Sequence, residues 1–515
     1  MQVHSLPPEV LSLVPTFLSS QKDRFHAASV CRRWRRTFLQ CGPIWSQLFT
    51  TKGDAYLKTL LDRAKTSALD VVVGYHTSEY EGSLLATKAC QIRRLEFEDT
   101  HWDDIADFSQ AISRSLPLLN TLKVAPNYYH GDLPETHPRL FQGADNLERL
   151  VFHSGSLPGR LRLFAFPCLS TFELRIEDPF DFTPSDLLDF LGHSPMLRRV
   201  KVEIFKPGQD IVQRPGWKVV DLPNLETISL SVTWSPLLYK LAAHISCPRV
   251  RSAFLNHVEL GWNETAMGLE LFPDREFWDA IAGYYAGSTV EEVKVEVYLS
   301  GLHEVSALLT FLSSDGTAIG LGFDFPEYAW RDGLYCPDPG MASFFMTLRA
   351  LKATRNCPRL TVQRLHIKQC CVDISPPSDT SALSKEFTRF FNNFGPLERL
   401  TLQGTDVQLF NSPDGQEETV KLPDTQELVV SDLRVRRTGK LSCHVALLVQ
   451  SQQRRDNPFT GVAICGPIPP GDMVELASIV NPVVFRHELL CERVWGSFPV
   501  QRCSDRWPKF RYKPV

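Results

Sequence analysis

The sequence predicts an α/β protein: a small helical module at the N-terminus, then a solenoid of strand-and-helix units with parallel strands on a concave face and helices on a convex face. Three observations carry this reading. Residues 6–45 place apolar side chains at helical spacing, the phrase apolar-x-x-apolar-x-apolar recurs through most of the remaining chain, and a proline stands at a fixed offset before many of its occurrences.

The N-terminal run reads LPPEVLSLVPTFLSSQKDRFHAASVCRRWRRTFLQCGPIW. Val10, Leu11, Val14, Phe17 and Leu18 follow the i, i+3, i+4, i+7, i+8 rule and predict one stripe on a first helix. Pro7 and Pro8 suit its first turn, where a missing N–H costs nothing. Ala27, Val30, Cys31, Trp34 and Phe38 predict the stripe of a second helix, with Asp23 available to cap its start. Cys41-Gly42-Pro43 then breaks the pattern ahead of Ile44, Trp45, Leu48 and Phe49. Chains of about forty residues rarely bury enough apolar surface to fold alone, and each large apolar side chain left in water forgoes roughly 1.5 to 3 kcal/mol. An apolar face should therefore remain, either for another protein or for the chain's own next domain. Arg32, Arg33, Arg35 and Arg36 read as the solvated face of the second helix rather than a partner contact, with Trp34 marking its inner face.

After a polar linker at Thr50–Asp54, Leu57, Leu60, Leu61 and Ala64 line one face of a helix, and 68–73 reads as a buried strand. The repeating phrase then falls at Ile92/Leu95/Phe97, Leu119/Leu122/Val124, Leu147/Leu150/Phe152, Leu169/Phe172/Leu174, Leu197/Val200/Val202, Leu225/Ile228/Leu230, Val250/Ala253/Leu255 and Val290/Val293/Val295. Later instances are Val362/Leu365/Ile367, Leu397/Leu400/Leu402 and a weaker Thr425/Leu428/Val430. Up to Val250 the units begin about 22 to 28 residues apart, the range of leucine-rich repeats. Beyond it the spacing loosens, which implies insertions or a missed unit near Ala318, Leu321 and Phe323.

Pro117, Pro167, Pro195, Pro223 and Pro248 each stand two residues before the first apolar position, where they end a helix and launch an extended segment. Thr183-Pro184-Ser185-Asp186 and Ser235-Pro236 signpost helix starts. Apolar stripes follow at Leu187, Leu188, Phe190 and Leu191, and again at Phe344, Phe345, Leu348 and Leu351. One strand and one helix cannot bury their apolar face alone, so neighbouring units must stack. Residues 411–426 read as an exposed polar loop, 443–455 as a last helix, 461–464 as its strand and 467–471 as a turn. The expected organisation is a helical module at 1–49, an irregular leucine-rich-repeat-like solenoid at 50–430, and a cap and tail at 431–515.

A formal charge of −4 over 515 residues provides no global field to recruit nucleic acid or acidic membranes. The first residues lack the pattern of a signal peptide, and no apolar run approaches the roughly 18 to 20 residues of a spanning helix. Thirteen scattered cysteines, without CxxC or zinc-ligand spacing, read as reduced thiols, and the adjacent Cys370 and Cys371 are not expected to bridge each other. No catalytic or phosphate-binding motif is present. His130 and His137 with Asp132 and Glu135 fit no metal geometry and read as loop residues. The aromatic and basic tail at 507–513 reads as an anchor for the C-terminus ahead of a nucleic-acid surface.

Leu6-Pro7-x-Glu9, Val14, Phe17-Leu18, Asp23, Val30-Cys31-x-x-Trp34 and Pro43-x-Trp45-x-x-Leu48 together resemble the F-box in order and spacing. Two departures are Pro15, where the family usually has a large apolar residue, and Arg24-Phe25, where leucine usually follows the aspartate. The resemblance covers the N-terminal module and implies three helices that dock on the Skp-type adaptor of a cullin-RING (SCF) ubiquitin ligase. By the same resemblance Leu6, Pro7, Glu9, Val14, Phe17, Val30, Cys31, Trp34 and Trp45 belong to the docking module. The expected function is a non-catalytic substrate-recognition subunit, with the solenoid holding a protein substrate. No cofactor, metal, nucleic acid or membrane is expected, and the expected location is the cytoplasm or nucleus. A second reading keeps both modules in a scaffold or binding protein that acts outside ubiquitin ligases. A third, an enzyme, needs a constellation the sequence does not offer.

Overall fold

The computed structural model describes residues 7–18, 21–50, 53–74, 79–112, 116–126, 143–154, 166–176, 184–205, 217–233, 235–258, 275–284, 289–300, 304–325, 350–351, 354, 361–369, 381–403, 422–431, 460–465 and 483–486. The fold is mixed α/β, and the chain divides into two compact units, Met1–Leu260 with Leu269–Gly287 and Gly261–Gly268 with Ser288–Val515.

The first unit opens with helices α1 (Pro8–Leu13), α2 (Gln21–Ser29) and α3 (Arg32–Gln40). Two sequence expectations fail here. The first stripe does not stay on one helix: α1 ends at Leu13, and Val14–Phe17 tightens into a 3-10 turn. Pro15 has no N–H to continue the α-helical ladder. The second stripe, Ala27 to Phe38, is also split, and Asp23 lies inside the first turn of α2 rather than capping it. The break falls at Cys31, whose extended backbone (φ −158°) caps α3 while its Sγ accepts the Trp34 N–H at 3.5 Å.

Beyond a 3-10 turn at Gly42–Trp45, the sheet begins inside the first fifty residues. Strand β1 (Gln47–Phe49) pairs in parallel with β2 (Leu69–Val73), and β3 (Ile92–Thr100), β4 (Thr121–Pro126), β5 (Arg149–Ser154), β6 (Thr171–Ile176) and β7 (Arg199–Ile204) follow, each parallel to the last. β8 (Val220–Asp221) and β10 (Ile245–Ser246) form a separate parallel pair, while β9 (Thr227–Val232) and β11 (Ser252–Val258) extend the main sheet. The expected linker is not slack at its first residue: Thr50 is buried, and its Oγ1 accepts the Gly74 N–H at 3.1 Å.

The repeating phrase maps onto the register. Leu95, Leu122, Leu150, Phe172, Val200, Ile228 and Ala253 are partners across successive strands, as are Phe97, Val124, Phe152, Leu174, Val202, Leu230 and Leu255. All are buried. Period-2 alternation sends these two rows to one face, where helices cover them. α4 (Asp54–Ala64), α5 (Glu79–Ala86), α6 (Trp102–Ile112), α7 (Pro184–Gly192), α8 (Ser235–Ala243) and α9 (Arg275–Tyr284) belong to this unit. Phe108 of α6 meets Phe97 edge-on at 5.5 Å, and Phe190 of α7 meets Phe172 at 4.7 Å.

The prolines act through turns. Leu119, Leu169, Leu197, Leu225 and Val250 each donate an N–H to the carbonyl three residues back, so the proline sits at the second position of a four-residue turn, where its fixed φ is suited. Asn146 and Asn224 stitch neighbouring turns together, donating to the carbonyls of Pro117 at 2.8 Å and Pro195 at 3.0 Å.

In the second unit β12 (Val290–Ser300), β13 (Glu304–Ser313) and β14 (Ala318–Phe325) form an antiparallel meander. The missed unit expected at Ala318, Leu321 and Phe323 is therefore not a strand-and-helix repeat. Its loop is closed by Gly316 at φ +85°, with the Asp315 carboxylate accepting the Thr317 N–H at 2.9 Å. From the other edge of β12 a parallel series runs through β15 (Arg364–Gln369), β16 (Leu397–Gln403), β17 (Thr425–Ser431), β18 (Gly461–Cys465) and β19 (Val483–Arg486). Val293, Leu365, Leu400, Leu428 and Val462 align across it. Helix α10 (Ser381–Asn392) contributes Phe387, Phe390 and Phe391 to the core. On the opposite face Thr401, Val429 and Ala463 are buried as well, so this sheet is enclosed on both sides at those positions. Residues 344–348, 443–455, 467–471 and 507–513, the two histidines at 130 and 137, and most of the 411–426 loop lie outside the described residues.

Candidate functional site

The N-terminal helices form a module too small to enclose its own apolar residues. Leu11 of α1, Ala28 of α2 and Phe38 of α3 are buried, and α1 lies against α3. Outside that centre Phe17 is 84% exposed, Val30 63%, Leu13 57%, Val10 42% and Leu39 36%. Among the described residues the remaining large exposed apolar side chains are Leu118, Met196 and Val219. Among the described residues, most of the large exposed apolar side chains are thus gathered in the first forty. Arg32, Arg33, Arg35 and Arg36 stand in water along α3, as expected of its solvated face.

The nine residues expected in the docking module divide by role. Leu6 lies outside the described residues, while Pro7 and Glu9 are exposed at the start of α1. The Pro7 carbonyl accepts the Leu11 N–H at 3.0 Å. Phe17 and Val30 project into water; Val14, Cys31 and Trp34 are half-buried. Trp34 lies 5.4 Å from the Phe38 ring, and its indole N–H is enclosed without a partner among the described residues.

Trp45 is the exception: it is 1% exposed, so it holds the module together and offers nothing to a visitor. Its Nε1 donates to the Phe38 carbonyl at 2.7 Å, and Phe25 and the Arg63 guanidinium lie against its ring at 5.2 and 4.9 Å. Sequence reasoning missed Leu13 and Leu39, and placed Val10 on the apolar stripe of the first helix without naming it among the docking residues. Their exposure depends on which faces α2 and α3 cover, a matter of packing that residue type does not carry.

Arg24 and Phe25, the two departures after Asp23, have structural work. Arg24 is buried, and its guanidinium donates to the Leu18 carbonyl at 3.2 Å and the Ile44 carbonyl at 3.4 Å. Burial pulls its pKa below the ordinary arginine value, with the nearby Asp70 carboxylate opposing. The side chain clamps both loops of the module. Gly42 permits the turn after α3 to touch α4: a Cβ there would lie 2.6 Å from the Ala64 carbonyl oxygen and would also collide with the Ser67 hydroxyl.

With this geometry in view, comparison with protein families decides the class of the module. It is an F-box-like domain. The F-box-like family model matches residues 3–51, the span of the three helices, the Gly42–Trp45 turn and β1. No curated protein matches the chain. The F-box-like domain therefore rests on its own residues, and F-box domains generally bind Skp-type adaptors.

Elsewhere, among the described residues, no group of three metal-ligating side chains converges, and no helix is long and apolar enough to cross a membrane.

Proposed function

We propose that this protein is the substrate-recognition subunit of an SCF ubiquitin ligase. In this reading the F-box-like domain grips the Skp-type adaptor and through it the cullin, and the parallel-stranded repeats form an irregular leucine-rich-repeat solenoid that holds a protein substrate. One observation supports it above the others: Val10, Leu13, Phe17, Val30 and Leu39 stand in water on a domain whose family binds such an adaptor. Burying side chains of this size in an interface returns roughly 1.5 to 3 kcal/mol each, which makes them candidates for the anchors that dominate binding.

In this reading the chain supplies no reacting group of its own. Its contribution to ubiquitin transfer is effective concentration, which turns an encounter between substrate and charged enzyme into a nearly intramolecular one. Cytoplasm and nucleus, where such ligases act, are the proposed locations.

The test is capture of the Skp-type adaptor and cullin by the full-length protein. Wild type is expected to retain both, and Leu13→Asp/Phe17→Asp to retain neither while still folding. Equal recovery by the two proteins would overturn the reading in favour of a scaffold that works outside ubiquitin ligases.

A further inference from the structure

The face of the first unit's sheet that points away from the helices carries charges in rows, because register places one residue of each strand beside the next. The middle row reads Glu96, Lys123, Val151, Glu173, Lys201 and Ser229 from β3 to β9, and the row beyond it Glu98, Ala125, His153, Arg175, Glu203 and Ser231. These largely neutralise one another. Lys123 lies 2.9 Å from Glu98 and 3.5 Å from Glu96, and Lys201 lies 2.7 Å from Glu203 and 3.6 Å from Glu173.

The row nearest the strand starts is different. Across the same strands it reads Arg94, Thr121, Arg149, Thr171, Arg199 and Thr227. Arg94 pairs with Glu96. Arg149 reaches Glu173 only at 3.9 Å, a carboxylate already served by Lys201 and His153, and no ion pair holds Arg199 among the described residues. The three arginines are exposed and the threonines half-buried between them. One residue earlier, Arg93, Arg198 and Arg251 outnumber Glu148 and Glu226, and the acid that ends the row, Asp70, is occupied by Arg93 at 2.8 Å.

We infer that this arginine–threonine row is the substrate-binding strip of the protein, and that its occupant is an extended acidic peptide segment with carboxylates at every third residue. The inference rests on the substrate-receptor reading above and names the class of substrate. Spacing supports it: alternate strands lie about 9.5 Å apart, and one three-residue turn of a polyproline II segment, which brings every third side chain back to the same side, spans about 9.3 Å. The guanidinium forks can donate paired hydrogen bonds to carboxylates, and the threonine hydroxyls between them can donate to the peptide's carbonyls. A nucleic acid is disfavoured, since no aromatic side chain stands in the row to stack a base.

The test uses the full-length protein and a fluorescein-labelled peptide with aspartate at every third position and small neutral residues between, read by anisotropy. Wild type is expected to bind it, and to ignore the same peptide with asparagine in place of aspartate. Arg149→Gln/Arg199→Gln should lose about tenfold or more in affinity, with an unchanged melting temperature and undiminished adaptor capture. Lys58→Gln/Lys385→Gln, which removes as much charge elsewhere, should bind as wild type does. Absence of wild-type binding, or equal losses in the two double variants, overturns the inference. So does binding confined to a phosphoserine version, which would assign the strip to phosphorylated segments. Adaptor capture judges the ligase reading separately: its failure alongside intact peptide binding sinks that reading alone.

Discussion

Phe25 lies against Trp45, their ring centroids 5.2 Å apart and their planes inclined by 56°. The contact joins α2 to the turn that follows α3, and Tyr56 of α4 reaches the same Phe25 at 6.5 Å. One aromatic side chain thus fastens the helices of the F-box-like domain to α4. Phe25→Ala is expected to lower stability by about 2 kcal/mol and Phe25→Leu by about half that, measured by chemical unfolding. An unchanged midpoint for the alanine variant would deny the contact this role.

Exposure separates the residues proposed to bind the adaptor from those that hold the domain together. Phe17→Asp changes a side chain 84% in water, so its melting temperature should match wild type while adaptor capture is lost. Phe38→Ala removes a fully enclosed ring and should cost about 3 to 5 kcal/mol, with adaptor capture failing as a consequence. A Phe17→Asp protein that melts early would show that the ring supports the fold after all.

Gly42 tests the close approach of the module to α4. A methyl group there has no room against the Ala64 carbonyl, a backbone atom that cannot rotate away. Gly42→Ala should destabilise the protein by about 1 to 3 kcal/mol, whereas Gly283→Ala, in open space on α9, should be neutral or mildly stabilising. Thermal melts of the two variants side by side decide it.

His366 sets a stability response to mild acid. Burial lowers its pKa, and Lys294 and then Lys368 lower it further, against a hydrogen bond that the ring donates to Gln403, leaving it at about 4 rather than 6.5. As pH falls the unfolded chain takes the proton first, so this contribution is complete above 6.5 and is lost progressively down to about 4. Melting temperature should therefore drop between neutral pH and pH 5, and His366→Gln should flatten the drop. Equal slopes would reject the assignment. Glu173 acts in a lower window: the His153 ring 3.6 Å away, with Lys201 and Arg149 nearby, outweighs burial and holds its pKa at about 2. Its stabilisation is present above its ordinary value of 4.5 and lost as pH falls toward 2.

The buried rows of the first sheet were legible in the sequence because parallel strands in register repeat one phrase. Leu95, Leu122 and Leu150 occupy equivalent places in the phrase and turn out to be neighbours. The meander was not legible for the same reason: Ala318, Leu321 and Phe323 satisfy the phrase, which records which residues face inward and not the direction of the adjacent strand. The split between α2 and α3 was hidden because cysteine is a weak hydrogen-bonding partner and not among the usual capping residues. In the docking module the family pattern was plain, yet it joined Trp45, which is enclosed, to Phe17, which is not. A shared motif marks residues under a common constraint without separating those that fold the module from those that meet its partner.

The pairing of Leu48 with Val71 makes the end of the box a strand of the sheet itself, with no slack before β2. If the box sits on a ligase, cargo lying on that sheet is presented at one reach and one angle, like a workpiece in a vice. Lysines outside that arc would escape modification however firmly the cargo is held. A flexible spacer inserted after Ser46 would blur the choice of lysine at the expense of speed.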